Sequence, residues 1–69
     1  MKFELEGKQE FITLTQLLKT IGLVESGGQA HSFIEDGMVL VNNQVEYRKR
    51  AKLRKGDIIE FNNEEIEII

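Results

Sequence analysis

The chain has 69 residues, no Cys, no Pro and one His. It has room for one domain, residues 1–69, whose core must hold without disulfides or thiolate metal sites. No stretch approaches the ~18 consecutive apolar residues of a membrane span, and Met1-Lys2-Phe3-Glu4-Leu5-Glu6 alternates where a signal peptide is continuously apolar. The expectation is a soluble, cytoplasmic protein with no membrane partner.

In chain order, Phe3 and Leu5 alternate with Lys2, Glu4 and Glu6, the period-2 pattern of a half-buried strand, and Gly7-Lys8-Gln9 is a turn. Thr13-Leu14-Thr15-Gln16 reads as a capping box, with Thr as N-cap and Gln at N3. Leu14, Leu17, Leu18 and Ile21 follow at helical spacing, and Gly22 supplies the stop. The grammar then repeats: Ser26-Gly27-Gly28-Gln29 is a second capping box, Ala30, Phe33 and Ile34 form one apolar face, and Gly37 falls at C′. Only Leu23-Val24-Glu25 separates the two short helices, which predicts a helix-turn-helix-like pair. Beyond them, Met38–Val41 and Gln44–Tyr47 flank Asn42-Asn43 as a hairpin. Asp57–Phe61 and Glu65–Ile69 flank Asn62-Asn63-Glu64 as a second. The order β-α-α-β-β-β-β describes an α+β domain, two short helices packed on a small, mostly antiparallel sheet.

The formal net charge of −3 argues, as a bulk figure, against a polyanionic partner. Its distribution reverses that. Residues 1–47 carry three basic and seven acidic side chains, residues 48–55 six basic and none acidic, and residues 56–69 none basic and five acidic. Clustered rather than total charge is the footprint of a nucleic-acid site. Read as extended, residues 48–55 turn Arg48, Arg50, Lys52 and Arg54 to one face at roughly 6.5 Å spacing. Ala51 and Leu53 turn to the other, with Lys49 and Lys55 at the ends. A solvated edge that discourages aggregation needs one or two lysines, not six cations in eight residues, so the run is read as an anion-binding strip.

The glycines of Ser26-Gly27-Gly28-Gln29 leave backbone N–H groups open at a helix start. From these residues alone a plain cap and turn is the stronger reading, since no P-loop or dinucleotide-binding pattern surrounds them. His31 lies off the Ala30-Phe33-Ile34 face and is expected exposed, most simply as a surface residue, with a phosphate contact as the lesser reading. Tyr47 has a ring that can stack on a base, but it shares parity with Val45, Ala51 and Leu53 and is assigned to the core, as is Phe33. One His and no Cys assemble no triad. The expectation is a chain without catalysis, small-molecule substrate, cofactor or metal.

From Thr13 to Phe61 the sequence resembles the S4 RNA-binding domain, found in a ribosomal small-subunit protein, pseudouridine synthases and tyrosyl-tRNA synthetases. It is most similar to the small stand-alone bacterial members. The resemblance rests on Leu14–Lys19, Ser26-Gly27-Gly28-Gln29-Ala30, Phe33–Asn43 and Lys55-Gly56-Asp57-Ile58-Ile59-Glu60-Phe61. It implies an αL-type motif in which the N-terminal end of the second helix and a neighbouring basic strand or loop contact structured RNA. On that footing Ser26, Gly28, Gln29 and His31 line one side, and Arg48, Lys49, Arg50 and Lys52 the other; the strip itself adds Arg54. The resemblance further implies ribosomal RNA as the partner and a part in ribosome assembly. Many members carry Arg at the position of Gly27 and basic residues at His31 and Ser32, whereas here the positive charge sits in 48–55.

Two other classes stand beside this reading. Small β-grasp sulfur carriers share the length and a Gly-Asp-x-Ile-Glu segment, but their chemistry needs a C-terminal Gly-Gly, and this sequence ends Glu67-Ile68-Ile69. A protein-interaction module docking its basic strip on an acidic partner is the other.

Overall fold

A computed structural model describes all 69 residues. The elements run β1 (Lys2–Phe3), β2 (Ile12–Thr13), α1 (Leu14–Thr20), α2 (Gly27–Glu35), β3 (Leu40–Val41), β4 (Gln44–Val45), β5 (Lys52–Leu53), β6 (Ile58–Phe61) and β7 (Glu64–Ile68). Two helices thus pack on sheet, as the pattern predicted, with one short strand, β2, that it did not place and another, β5, that covers two residues of the run read as extended.

Both helices begin where their caps predict. At α1 the Thr13 hydroxyl accepts the Gln16 N–H, and Gln16 Oε1 accepts the Thr13 N–H, a complete box. At α2 the Ser26 hydroxyl accepts the Gln29 N–H, but Gln29 Oε1 reaches one residue further back, to the Glu25 N–H at 2.7 Å. The caps satisfy first-turn amides that a helix leaves unpaired. Leu14, Leu17 and Leu18 from α1 and Ala30 and Ile34 from α2 are fully buried. Phe33, read as core, is half-buried and tilts against Phe61 with ring centroids 5.0 Å apart.

The larger sheet has the order β1-β7-β6-β3-β4, antiparallel except for the outermost pair, where β1 runs parallel to β7 (Lys2 opposite Glu67, Phe3 opposite Ile68). Each hairpin closes through two Asn residues at positive φ, Asn42 (51°) and Asn43 (68°), then Asn62 (54°) and Asn63 (64°). This is the geometry of a two-residue primed turn, in which Asn is among the few non-Gly residues that tolerate positive φ; the Asn42 amide is held by Asp57 and the Ile58 N–H. Val39, Ile59, Phe61, Ile66 and Ile68 from the sheet join the same fifteen-residue core, which contains no buried polar or charged residue.

The second sheet is a two-residue ladder, Ile12 opposite Leu53 and Thr13 opposite Lys52. It buries Ile12 and Leu53 and fixes the end of the basic run directly against the start of α1. Two residues are too short a stretch for periodicity to mark, and their partners lie some forty positions apart.

Candidate nucleic-acid interface

The basic run is not one extended strand. Only its second half alternates as predicted: Ala51 and Leu53 are buried, and Lys52 and Arg54 are exposed. Its first half is a turn, in which the Ala51 N–H donates to the Arg48 carbonyl at 3.1 Å. A second turn follows, where the Asp57 N–H reaches the Arg54 carbonyl and Gly56 adopts φ 95°, a conformation that L side chains resist. The strip of four evenly spaced cations is therefore replaced by a looped arrangement of the same residues. The reason is local. Glu46 accepts the Arg48 N–H at 3.0 Å and the chain turns, so the alternation that holds from Val45 to Tyr47 does not carry through to Ala51 and Leu53.

Three anchors hold this loop. Thr15, at the start of α1, donates both its N–H (3.2 Å) and its hydroxyl (2.8 Å) to the Lys49 carbonyl. The Leu14 N–H donates to the Ala51 carbonyl. Asp57 accepts the Arg54 N–H at 2.8 Å on one carboxylate oxygen and the Asn42 side-chain amide at 3.0 Å on the other, tying the loop's far end to the first hairpin turn. Lys52 and Arg54 lie over the ring of Phe11, 4.9 and 5.7 Å from its centroid, so a cation–π contact stiffens two otherwise free side chains.

Arg48 is the exception among the cations. Its guanidinium donates through Nε (3.1 Å) and Nη2 (3.0 Å) to the Glu46 carboxylate. That fork holds the Glu46 carboxyl below its ordinary range and raises the Arg48 pKa. The Glu46 side chain is largely covered and that of Arg48 is 80% exposed, so the guanidinium's outer edge still faces solvent. No such partner neutralises Lys49, Arg50, Lys52 or Arg54.

Together these residues wall an open groove of about 900 Å³, lined by Glu35, Tyr47, Arg48, Lys49, Arg50, Ala51, Lys52 and Arg54. Five of the eight lining residues are cationic and one is a carboxylate. Glu35 is the last residue of α2, so the helix contributes a wall. At the helix's other end, a Cβ built on Gly27 would come within 3.9 Å of the Thr15 side chain that grips Lys49. The C-terminal end of α2 thus lines the groove through Glu35 and its N-terminal end packs near Thr15 of α1, with His31 four residues from Gly27 and from Glu35 on the same helix face. His31 is half-buried, not exposed as expected. Ser26, Gly28 and Gln29 are exposed at the helix start, where the Ser26 hydroxyl and the Gln29 carbonyl oxygen both serve in the cap. They are not part of the groove's wall, and neither is His31.

Tyr47 is the clearest correction. Assigned to the core by parity, it is 63% exposed and lines the groove. Tyr47 shares the exposed face of Val45, and the turn at 48–51 separates that face from the buried one of Ala51 and Leu53. Thr15 and Glu46 were missed altogether: one acts through its position under Lys49, the other through a two-residue side-chain turn, and neither leaves a periodic signal.

A groove with this charge, on two capped helices and a small mixed sheet, defines an anion-binding module of α+β architecture. The S4 domain family model matches residues 3–69, and the chain belongs to that family. It is 43% identical over 52 residues to a probable ribosome maturation protein, RlbA, of Bacillus subtilis strain 168, covering 75% of this chain and 73% of that one. It is 38% identical over 63 residues to a putative RNA-binding protein, YbcJ, of Escherichia coli K12, covering 91% and 90%. The solution structure of E. coli YbcJ, described as revealing an αL motif involved in RNA binding, superposes with a TM-score of 0.73 over 99% of this chain and 85% of that one. No helix here is long and apolar enough to cross a membrane.

Proposed function

We propose that this chain, acting as one domain, binds structured RNA without catalysis through the groove between the basic loop and α2, and that its target is ribosomal RNA during ribosome maturation. The observation that carries the reading is the groove itself: five cations and one carboxylate gathered in one concavity of a chain whose net charge is −3. Lys49, Arg50, Lys52 and Arg54 serve as phosphate contacts, because arginine and lysine side chains without an internal carboxylate partner gain most from a polyanion. Arg48 orders the loop through Glu46 and offers only its outer edge. The start of α2, with Ser26, Gly28, Gln29 and His31, adds backbone N–H groups and an imidazole beside the same surface. Family membership and the relatives named for RNA binding and ribosome maturation support the choice of RNA over an acidic protein.

Titrations of a ribosomal RNA fragment at several salt concentrations test this. Four phosphate contacts give a log–log slope of roughly −3 to −4, and replacing Arg50 with Ala reduces its magnitude by about one. A quadruple Ala variant at 49, 50, 52 and 54 that folds normally and binds RNA as tightly as wild type removes the loop from the site and leaves the start of α2 as the contact surface. Crosslinking in cells, followed by sequencing of the bound RNA, tests the target; enrichment of transfer or messenger RNA over ribosomal RNA overturns it.

A further inference from the structure

We infer that the groove holds an unpaired nucleobase stacked on Tyr47, so that the protein selects a looped-out or single-stranded nucleotide rather than an uninterrupted duplex. This rests on the RNA-binding reading above and specifies what that site recognises.

Tyr47 is the one exposed aromatic ring of the five in the chain. Its position is built. A Cβ placed on Gly37, at φ 75°, would lie 3.4 Å from both Cε1 and Oη of the ring and 3.6 Å from Cγ1 of Val45. The ring's edge thus rests on bare backbone, on a residue whose left-handed conformation favours Gly. On either side in sequence the chain is pinned: the Glu46 N–H donates to the Val39 carbonyl at 3.0 Å, and the Arg48 N–H and guanidinium close onto the Glu46 carboxylate. Tyr47 is the tip of that closed turn. A ring fixed before binding loses little freedom when a ligand arrives.

Its surroundings choose the ligand. Apart from Tyr47 and the buried Ala51, every residue of the groove wall is charged, and five are cationic. A flat π surface set among phosphate-seeking side chains matches a nucleotide, base against ring and phosphates against the cations. A bare phosphate has no use for the ring. A base inside a duplex has both faces covered by its neighbours, so the occupant is a base outside the stack.

The chain contains one Tyr and no Trp, so selective isotope labelling at Tyr gives a single set of ring signals in the nuclear magnetic resonance spectrum. The probes are a hairpin RNA with an unpaired loop and a blunt duplex of the same stem sequence, with affinities read separately by anisotropy of end-labelled RNA. Saturation with the hairpin moves the Tyr47 ring signals upfield. Tyr47→Ala weakens hairpin binding about tenfold or more and collapses the preference for hairpin over duplex, whereas Tyr47→Phe, which keeps the ring, stays within about twofold of wild type. Thermal melts of both variants establish that they fold. Ring signals unmoved at saturation, or undiminished hairpin affinity in Tyr47→Ala, overturn the stack and leave the RNA-binding reading standing. Failure of wild type to bind either RNA overturns both.

Discussion

Two hairpins in this chain close through the same dipeptide, Asn-Asn at positive φ, and then part ways. The second runs four and five residues on its two sides and buries Ile59, Phe61, Ile66 and Ile68. The first runs two residues on each side, and both residues of its outer strand, Gln44 and Val45, are exposed. Turn chemistry is identical, so it cannot be the cause. Neighbours are. In the sheet, β6 lies between β3 and β7, and β7 between β6 and β1, while β4 has β3 alone. An edge strand with nothing beyond it is free to end early. Here the chain leaves the sheet after Val45 and becomes the wall of the groove. One hairpin builds the core, the other is spent on the site.

The largest test asks whether the departing segment is re-anchored or merely loose. Leu53 is 1% exposed and pairs with Ile12, one position before the solvent-facing Arg54. Leu53→Asp buries an unpaired carboxylate and costs more than about 4 kcal/mol, against a total stability of roughly 3–10 kcal/mol for a chain of this size. The variant unfolds or nearly so. Arg54→Asp loses only a surface cation–π contact, under about 1 kcal/mol. Equal melting temperatures would mean that the β2–β5 ladder carries no weight and that the loop is not held in place.

Next in size is the contrast between the hairpins themselves. Ile66, fully buried on β7, should cost about 2–5 kcal/mol as Ile66→Ala. Val45, 43% exposed on the edge strand, should change stability by less than about 0.5 kcal/mol as Val45→Ala. Denaturant midpoints at constant slope decide it. Comparable losses at both positions would show that β4 belongs to the core after all and that its shortness is not what releases the loop.

The same contrast explains what was legible in the sequence. Signals carried by neighbouring residues were read correctly: the Thr13 and Ser26 caps, the Asn-Asn turns, the buried stripe Leu14-Leu17-Leu18, and the alternation from Ala51 to Arg54. Those local signals gave the two helices on a small sheet, and the family likeness in Ser26–Ala30 and Phe33–Asn43 agreed with them. What failed was extrapolation across a place where the chain changes direction. Parity shared with Ala51 and Leu53 sent Tyr47 into the core along with Val45, and Arg48 into a row with Arg50, because nothing in the alternation reveals the turn at 48–51 or that a Glu46 carboxylate will capture the Arg48 backbone. Pairings between distant residues, β1 with β7 and β2 with β5, were equally silent. The clustering of charge in 48–55 was legible; its shape as a groove was not.

The smallest effect lies at that turn. Hydrogen bonding from the Arg48 side chain holds the Glu46 carboxyl below its ordinary value. A carboxylate with a depressed folded pKa binds its proton more weakly in the folded than in the unfolded chain. Its contribution is therefore complete above the ordinary carboxylate pKa and is lost as the pH falls through the lower, folded value. Arg48 is 80% exposed, so solvent and salt screen the pair and the contribution is small. The chain has twelve Asp and Glu side chains, so the acid limb of wild type alone does not isolate Glu46. The difference between wild type and Glu46→Gln isolates it: melting temperatures should differ slightly at neutral pH and converge as the pH falls below the carboxylate range. Added salt at neutral pH should narrow the gap too. A difference independent of pH would mean that Glu46 supports the turn as a neutral hydrogen-bond acceptor. The exit from the sheet would then be set by backbone geometry, and the ion pair would be a consequence of the turn rather than what closes it.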